Sequence, residues 1–318
     1  MKSRRVGRTA VEVTELGFGA APIGNLYTPV SDEQAASTVH AAWNAGVRYF
    51  DTAPHYGLGL SERRLGAALS NKPRDTYVLS TKVGRLLIPN PAPVGSDLTA
   101  GGFAVPDELT RARDYSRDGV LRSLDASLIR LGTDRIDIVL VHDPEDHMTD
   151  ATHAAVPALI ELREQGVIGA IGVGMNLWQP LLRIVEHTDV DMVMLAGRWT
   201  LLDRTGAPLL DRCAERGVSV LAAAPFNSGI LARPWPPDDA RYDYRPAPSD
   251  LLNHARHLAE TCRRHGAELP NAAIQFPLRH PAVAAVVVGI GTPAHAESNA
   301  DWARHDLPDP LWADLDAR

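Results

Sequence analysis

Cysteines and long apolar runs are scarce in this sequence. Its 318 residues contain two cysteines, Cys213 and Cys262, which excludes a disulfide framework and a zinc site built on cysteines. No apolar run approaches the roughly 20 residues that a membrane-spanning helix needs. The N-terminal arginines are not followed by an apolar segment, so we expect no secretory signal. These absences predict a soluble, cytoplasmic protein that does not enter a membrane.

Basic residues are also fewer than acidic residues. Lys and Arg number 32 against 39 Asp and Glu, which gives a formal net charge of −7, and no basic run occurs. We therefore expect a small molecule as the partner, and neither nucleic acid nor an anionic membrane. The sequence does not indicate an oligomeric state. With 45% hydrophobic residues, the chain has enough apolar material for a large core.

One pattern recurs along the chain: a helical segment, a Gly-Val pair and an apolar run. It occurs at 43–50, 163–174 and 213–224. Gly46, Gly166 and Gly217 suit the left-handed residue that ends a helix, because glycine has no Cβ to clash. The apolar run that follows suits a strand buried on both faces. The pattern therefore predicts helices that each lead into a parallel strand.

Eight apolar runs of this kind predict eight strands. They lie near 15–19, 47–50, 76–81, 136–141, 168–173, 191–195, 218–223 and 284–288, and helical segments are predicted at 32–45, 118–131, 152–165, 205–216 and 250–265. This alternation predicts one domain over residues 1–318, a (β/α)8 TIM barrel of the α/β class. A doubly wound sheet is the alternative, but LGFGAAPIG lacks the GxGxxG spacing expected after its first strand.

Two stretches rich in proline and glycine interrupt the alternation. Residues 86–114 follow the third predicted strand, and residues 233–248 follow the seventh. Both would lie at the C-terminal face of the barrel, where such barrels build their sites. Loops of this length are more often functional lids than neutral connections, with disorder as the alternative.

Four polar residues lie at the ends of three adjacent predicted strands. Asp51 closes the second strand, Tyr56 follows it in the same loop, Lys82 ends the third and His142 ends the fourth. A phenol has a pKa near 10. A nearby ammonium lowers that pKa, and a carboxylate holds the ammonium in place. The set predicts proton transfer to or from a substrate oxygen.

The segment DTAPHYGLGLSERRLG resembles the first signature of the aldo-keto reductase family, DTAxxYGxGxSExxLG, at every fixed position. STKVG, LVHDPED, GVGMNL and GIGTPAHAESN extend the resemblance over nearly the whole chain. It implies a (β/α)8 barrel that moves a hydride between a nicotinamide cofactor and a carbonyl or alcohol. Tyr56 would be the general acid/base and Lys82 would tune it. Asp51 would pair with Lys82, and His142 would orient the substrate oxygen.

The resemblance also implies a cofactor site. Asn176 would bind the nicotinamide carboxamide. The loop that covers the pyrophosphate would consist of Pro225, Phe226, Asn227, Ser228 and Gly229. The strip around the adenosine end would include Gly289, Gly291, Thr292, His295 and Asn299. Binding in this family does not use a GxGxxG motif.

The sequence departs from the family's usual residues near the cofactor. Met175 stands where many members have serine, Ala196 where many have glutamine, and Trp199 where tyrosine is frequent. Gly289 and His295 occupy positions that often carry Lys and Arg for a 2′-phosphate. Because a 2′-phosphate needs charge-assisted hydrogen bonds, we expect NAD to be favoured over NADP.

Three segments are similar to sequences in one branch of the family, which holds the D-threo-aldose 1-dehydrogenases, also called L-fucose dehydrogenases. These segments are LAGRWTLLD, APFNSGILA and STKVGRLL. This implies oxidation of an L-fucose, D-arabinose or L-galactose type of aldose at C1 to the lactone, with Tyr56 as the base. Three alternatives stay open: an NADPH-dependent aldehyde or ketone reductase, a pyridoxal-type dehydrogenase, and a cofactor-sensing regulatory barrel with little turnover.

Two further groups have competing interpretations. Trp199 and Trp235, with Trp178, Tyr242 and Tyr244, fall in or near loops of the predicted C-terminal face. They would either wall a sugar or anchor these loops against the barrel. HDPEDHMTDATH at 142–153 contains three histidines and four acidic residues, but it has no HExxH spacing. We therefore predict no metal site there, and an acidic turn that caps the next helix.

Overall fold

Eight parallel strands close a barrel in this computed structural model, which describes residues 1–317. The strands are β1 (Leu16–Gly19), β2 (Tyr49–Asp51), β3 (Val78–Val83), β4 (Ile138–His142), β5 (Ala170–Met175), β6 (Met192–Ala196), β7 (Ser219–Ala223) and β8 (Val283–Gly289). Each strand pairs with the next, and β8 pairs with β1. All eight overlap the predicted runs, so the predicted (β/α)8 barrel is confirmed.

Helices surround the barrel. They are α1 (Asp32–Asn44), α2 (Leu60–Leu69), α3 (Arg117–Leu131), α4 (Val156–Glu164), α5 (Trp178–His187), α6 (Ala207–Arg216), α7 (Ser249–Arg264), α8 (Leu269–Gln275), α9 (Pro293–Arg304) and α10 (Asp309–Asp316). Gly46, Gly166 and Gly217 have the predicted left-handed conformation, with φ of +86°, +74° and +67°. No helix within residues 1–317 is long and apolar enough to cross a membrane.

The strands alternate between two apolar layers. In β4, Ile138 and Leu140 belong to the buried cluster inside the barrel, whereas Val139 and Val141 belong to the cluster between barrel and helices. This alternation follows from the two-residue period of a strand. His142 is the next inward position of β4, so its side chain falls at the C-terminal mouth of the barrel.

A hairpin closes the opposite end of the barrel. Its strands, Ser3–Arg5 and Glu12–Thr14, pair antiparallel, and Val6 and Val13 lie fully buried in the interior cluster. Arg4 donates hydrogen bonds to the carbonyl oxygens of Leu278 and Val283, at 3.1 and 2.9 Å. The floor of the barrel is thereby filled, which leaves the C-terminal mouth as the place for a site.

The two long loops contain regular structure. The first forms an antiparallel hairpin of Arg85–Pro89 and Leu109–Arg113, with a short helix at Leu98–Gly101 between its strands. The second contains a small hairpin of Arg241–Tyr242 and Arg245–Pro246. Each loop therefore forms an ordered wall at the C-terminal face, and the alternative that these loops are disordered is not supported.

Gly66 marks a close approach of α2 to α3. A Cβ at this position would collide with the carbonyl oxygen of Leu131. We expect Gly66→Ala to lower the free energy of unfolding by about 2–3 kcal/mol, because backbone atoms cannot easily move aside. Ala67→Ser, at the neighbouring exposed position of α2, is the control and should change stability by less than about 0.5 kcal/mol. Urea denaturation measures both, and equal midpoints would contradict the prediction.

Candidate active site

A cavity of about 410 Å³ opens at the C-terminal mouth of the barrel. The predicted set is brought together in its wall: Asp51, Tyr56, Lys82 and His142. The strand period explains this convergence, because Tyr49, Ser80 and Leu140 lie inward at the positions two residues below Asp51, Lys82 and His142. The three strand residues thus form the uppermost inward layer of the barrel, and Tyr56 is supplied by the loop after β2.

Lys82 and Asp51 form a buried ion pair. Lys82 Nζ donates to Asp51 Oδ2 at 2.7 Å and to the carbonyl oxygen of Thr52 at 2.9 Å. The two side chains are only 2% and 3% exposed. Ser80 Oγ donates to the other carboxylate oxygen of Asp51 at 2.7 Å, and Tyr49 OH lies 3.1 Å from Ser80 Oγ. Both carboxylate oxygens of Asp51 therefore accept a hydrogen bond, which fixes the orientation of this side chain.

The Lys82 ammonium lies over the ring of Tyr56, with Nζ 4.8 Å from the ring centroid. Burial raises the pKa of Tyr56, Lys82 lowers it, and the net result is a raised pKa. The predicted lowering by the ammonium is thus present, but desolvation outweighs it. Burial alone would lower the pKa of Lys82, but Asp51 and Tyr56 outweigh burial and raise that pKa, which keeps the ammonium charged.

Two histidines line the cavity side by side. The rings of His55 and His142 have centroids 5.6 Å apart in an edge-to-face arrangement. Burial, followed by nearby Arg85, lowers the pKa of His142 well below its usual value. The same causes lower the pKa of His55 to about 2. Both imidazoles are therefore neutral at physiological pH and can exchange hydrogen bonds with a neutral oxygen group.

Comparison with known protein families gives a match over almost the whole chain. The model of the Aldo/keto reductase family matches residues 15–318. The chain belongs to the aldo/keto reductase family.

Characterised members match this aldo/keto reductase over almost its full length. It is 48% identical to a D-threo-aldose 1-dehydrogenase of a Pseudomonas species over 95% of this chain and 93% of that protein. It is 39% identical to a pyridoxal 4-dehydrogenase of Microbacterium luteolum over 99% and 96% of the two chains. A holo structure of an aldo-keto reductase from Bacillus halodurans superposes with a TM-score of 0.79 at 25% identity, covering 100% and 96%. The protein is an oxidoreductase acting on CH–OH groups with a nicotinamide cofactor.

Two of the residues predicted to hold the cofactor line the cavity, and the others follow neighbouring strands of the barrel. Asn176 and Gly289 line the cavity. Pro225 to Gly229 follow β7, and Gly291, Thr292, His295 and Asn299 follow the neighbouring strand β8. The ring of Phe226 lies 6.4 Å from that of Trp302 in α9, which joins the two segments.

These segments fit a dinucleotide. Asn227 and Ser228 have φ of +44° and +61°, and such left-handed residues can turn successive N–H groups toward an anion. Asn227 Nδ2 donates to the Gly197 carbonyl at 3.1 Å, while its buried Oδ1 has no partner within residues 1–317. Thr292 caps the N-terminus of α9 by accepting from His295 N, and helix N-termini favour anionic groups. The predicted loop thus offers an unpartnered acceptor and left-handed backbone, and α9 adds a helix N-terminus.

The two predicted substrate residues lie outside the cavity lining. The ring of Trp199 packs 5.3 Å from Phe276 and 5.5 Å from His280. Trp235 is 53% exposed, with its ring 5.9 Å from the Arg256 guanidinium. The structure therefore does not bring either tryptophan to Tyr56. Of the aromatic residues singled out in the sequence, Tyr244 does line the cavity.

Several residues of the cavity were missed by sequence reasoning. His55 lies inside the matched signature, Asp143 follows His142, and Phe103 comes from the long loop after β3. The signal for His55 and Asp143 was their position next to Tyr56 and His142. No local signal pointed to Phe103, whose position depends on a backbone bridge to Leu26.

The acidic segment 142–153 forms short helical turns, Glu145–His147, Met148–Asp150 and Ala151–Ala155, that lead into α4. Within residues 1–317 no group of three or more His, Cys, Asp or Glu side chains is arranged to hold a metal ion. The two cysteines are buried and free.

The buried neutral state of His55 predicts an acid-sensitive fold. An unfolded histidine titrates near 6.5. As the pH falls below that value, the unfolded chain gains a proton that the folded protein does not, and the folded protein loses about 1.4 kcal/mol per pH unit. His55→Gln removes this cost. Between pH 6 and 4, we expect the stability of wild type relative to His55→Gln to fall at that slope.

Denaturant unfolding at several pH values measures this slope. His187→Gln, at an exposed position of α5, is the matched control and should follow wild type. Parallel curves for wild type and His55→Gln would contradict a neutral, buried His55.

Proposed function

We propose that this aldo/keto reductase oxidises an aldose at C1 to the lactone, with NAD⁺ as the acceptor and Tyr56 as the general base. The observation that carries the assignment of Tyr56 as the base is the buried Lys82–Asp51 pair, whose Lys82 Nζ lies over the Tyr56 ring, 4.8 Å from its centroid. A fixed ammonium at this distance stabilises the phenolate that must accept the proton of the C1 hydroxyl.

Each member of the set has a separate task. Asn176 would hold the nicotinamide, which would supply the hydride acceptor when bound. The Tyr56 phenolate takes the hydroxyl proton and becomes a neutral phenol, and Lys82 stabilises the phenolate before that transfer. Asp51 keeps Lys82 charged and in place. His142, being neutral, hydrogen bonds with the reacting oxygen without competing for its proton.

The walls of the cavity favour a pyranose. Phe103, Tyr27 and Tyr244 provide aromatic surface on the loop side, and the rings of Tyr27 and Tyr244 have centroids 6.2 Å apart. Such faces pack against the C–H faces of a sugar, while His55, His142 and Asp143 offer polar groups to its hydroxyls. The ring oxygen next to C1 stabilises positive charge that develops there as the hydride leaves. The 48% identity to a D-threo-aldose 1-dehydrogenase favours the same substrate class.

A second candidate is oxidation of pyridoxal. It is favoured by the 39% identity to a pyridoxal 4-dehydrogenase over nearly both full lengths, and the aromatic walls would equally stack on a pyridine ring. The proton-transfer residues would act identically in both reactions.

Nicotinamide reduction, followed by absorbance, tests the substrate class. NAD⁺ is offered with L-fucose, D-arabinose, L-galactose or pyridoxal, and we expect the sugars to be oxidised. Tyr56→Phe should lower kcat by about 10²–10⁴-fold while the dinucleotide still binds. Tyr242→Phe is the control, because it removes a hydroxyl that donates to Asp203, at 3.1 Å, outside the cavity. The proposal would be wrong if the enzyme oxidised none of the sugars and instead consumed NADPH with simple aldehydes.

We propose that NAD is preferred over NADP, because no Lys or Arg lies between Arg279 and Arg304, the stretch that carries Gly289 and His295. His295 is exposed in the first turn of α9. We expect His295→Arg to shift the kcat/KM ratio toward NADP⁺ by about tenfold, through one charge-assisted hydrogen bond. His305→Arg adds the same charge beyond the other end of α9 and should leave the ratio unchanged. A wild-type preference for NADP⁺ would overturn this assignment.

A further inference from the structure

Asp143 has an unusual backbone conformation that the proton-transfer set, Asp51, Tyr56, Lys82 and His142, does not explain. It follows His142 at the end of β4, within the segment VHDPED, and has φ of +41°. Left-handed backbone is uncommon outside glycine, asparagine and aspartate, and in a buried position it is held by the surrounding structure. A positive φ of this kind often accompanies a functional position.

Four contacts fix this residue. Its N–H donates to the Gly174 carbonyl at 2.9 Å. Its carbonyl oxygen accepts from Tyr115 OH at 3.0 Å and from Arg113 Nη1 at 3.2 Å. Its carboxylate oxygen Oδ2 accepts from Arg85 Nη2 at 2.6 Å. Backbone and side chain are therefore both oriented before any ligand arrives.

One carboxylate oxygen is left free. The side chain of Asp143 lines the cavity and is 30% exposed. Oδ1 receives no hydrogen bond from any residue of 1–317, whereas Oδ2 is taken by Arg85 and lies 3.5 Å from His142 Nε2. The carboxylate of Asp143 thus stands beside the histidine that is proposed to orient the reacting oxygen, and its Oδ1 is still able to accept a hydrogen bond.

Resting on the proposed function, we propose that Asp143 is a specificity-determining residue that accepts a hydrogen bond from the substrate hydroxyl on the carbon next to the reacting carbon. In an aldose, C1 has two neighbours, C2 with its hydroxyl and the ring oxygen. A carboxylate only accepts hydrogen bonds, and so does a ring oxygen. The C2 hydroxyl therefore faces Asp143, and the ring oxygen faces away from it.

This contact makes the enzyme selective for α-hydroxy substrates. A site built to hydrogen bond a substrate hydroxyl rejects the analogue that lacks it, because the polar group of the protein is then left without a partner. Wild type should thus oxidise an aldose with a kcat/KM at least about tenfold above that of its 2-deoxy counterpart.

Asp143→Gly tests the proposal, because glycine adopts a φ of +41° without strain. We expect the kcat/KM ratio of aldose over 2-deoxy aldose to fall by about tenfold or more, mostly through KM for the aldose. Asp143→Asn also tolerates the left-handed conformation, and it should give an intermediate ratio. Asp146→Gly removes an exposed carboxylate of the same acidic turn and should retain the wild-type ratio.

A wild-type ratio near one, or the same ratio in wild type and Asp143→Gly, would overturn the proposal. Failure of the proposed function is a separate outcome, in which wild type oxidises no aldose. The ratio is then measured in the reducing direction, with 2-hydroxypropanal against propanal. Asp143→Gly must lower that ratio as well, or the assignment of Asp143 is wrong.

Discussion

The buried ion pair between Lys82 and Asp51 is the constraint on which the site depends. Taking two charges out of water costs several kcal/mol per ion, and attraction between them offsets this only when the geometry is good and further hydrogen bonds are made. Here the Thr52 carbonyl and the Ser80 hydroxyl make those bonds. The Lys82 ammonium also lies over the Tyr56 ring. A positive charge that is costly to desolvate is therefore placed where it can stabilise a phenolate.

The fold supplies this geometry through strand alternation. Lys82 points into the barrel mouth, whereas its neighbour Thr81 points outward and donates to buried Glu62 of α2 at 2.8 Å. Glu62 in turn accepts from Arg130 of α3 at 2.6 Å. Of two adjacent residues of β3, Lys82 thus belongs to the proton-transfer set and Thr81 helps to attach α2 and α3. A one-residue shift in the register of this strand would reverse both side chains and lose both contacts.

The barrel, and the convergence of Asp51, Tyr56, Lys82 and His142 at its mouth, could be predicted because both leave local marks in the sequence. Apolar runs mark the strands, and helix-ending glycines such as Gly217 mark the boundaries between units. The cavity walls could not be predicted in the same way. Phe103 is placed by contacts with distant residues, and Trp199 follows β6 as expected but turns its ring toward Phe276. The raised pKa of Tyr56 depends on burial, which emerges only when the walls are assembled.

The filled floor of the barrel limits the routes by which a proton could leave the site. The hydrogen-bond chain from Asp51 through Ser80 ends at Tyr49, which belongs to the same apolar cluster as Val6 and Val13 of the N-terminal hairpin. Within the described part of the chain, this relay has no continuation toward solvent below. If Tyr56 accepts a proton as proposed, that proton leaves through the upper mouth, so that proton release and product release share one exit.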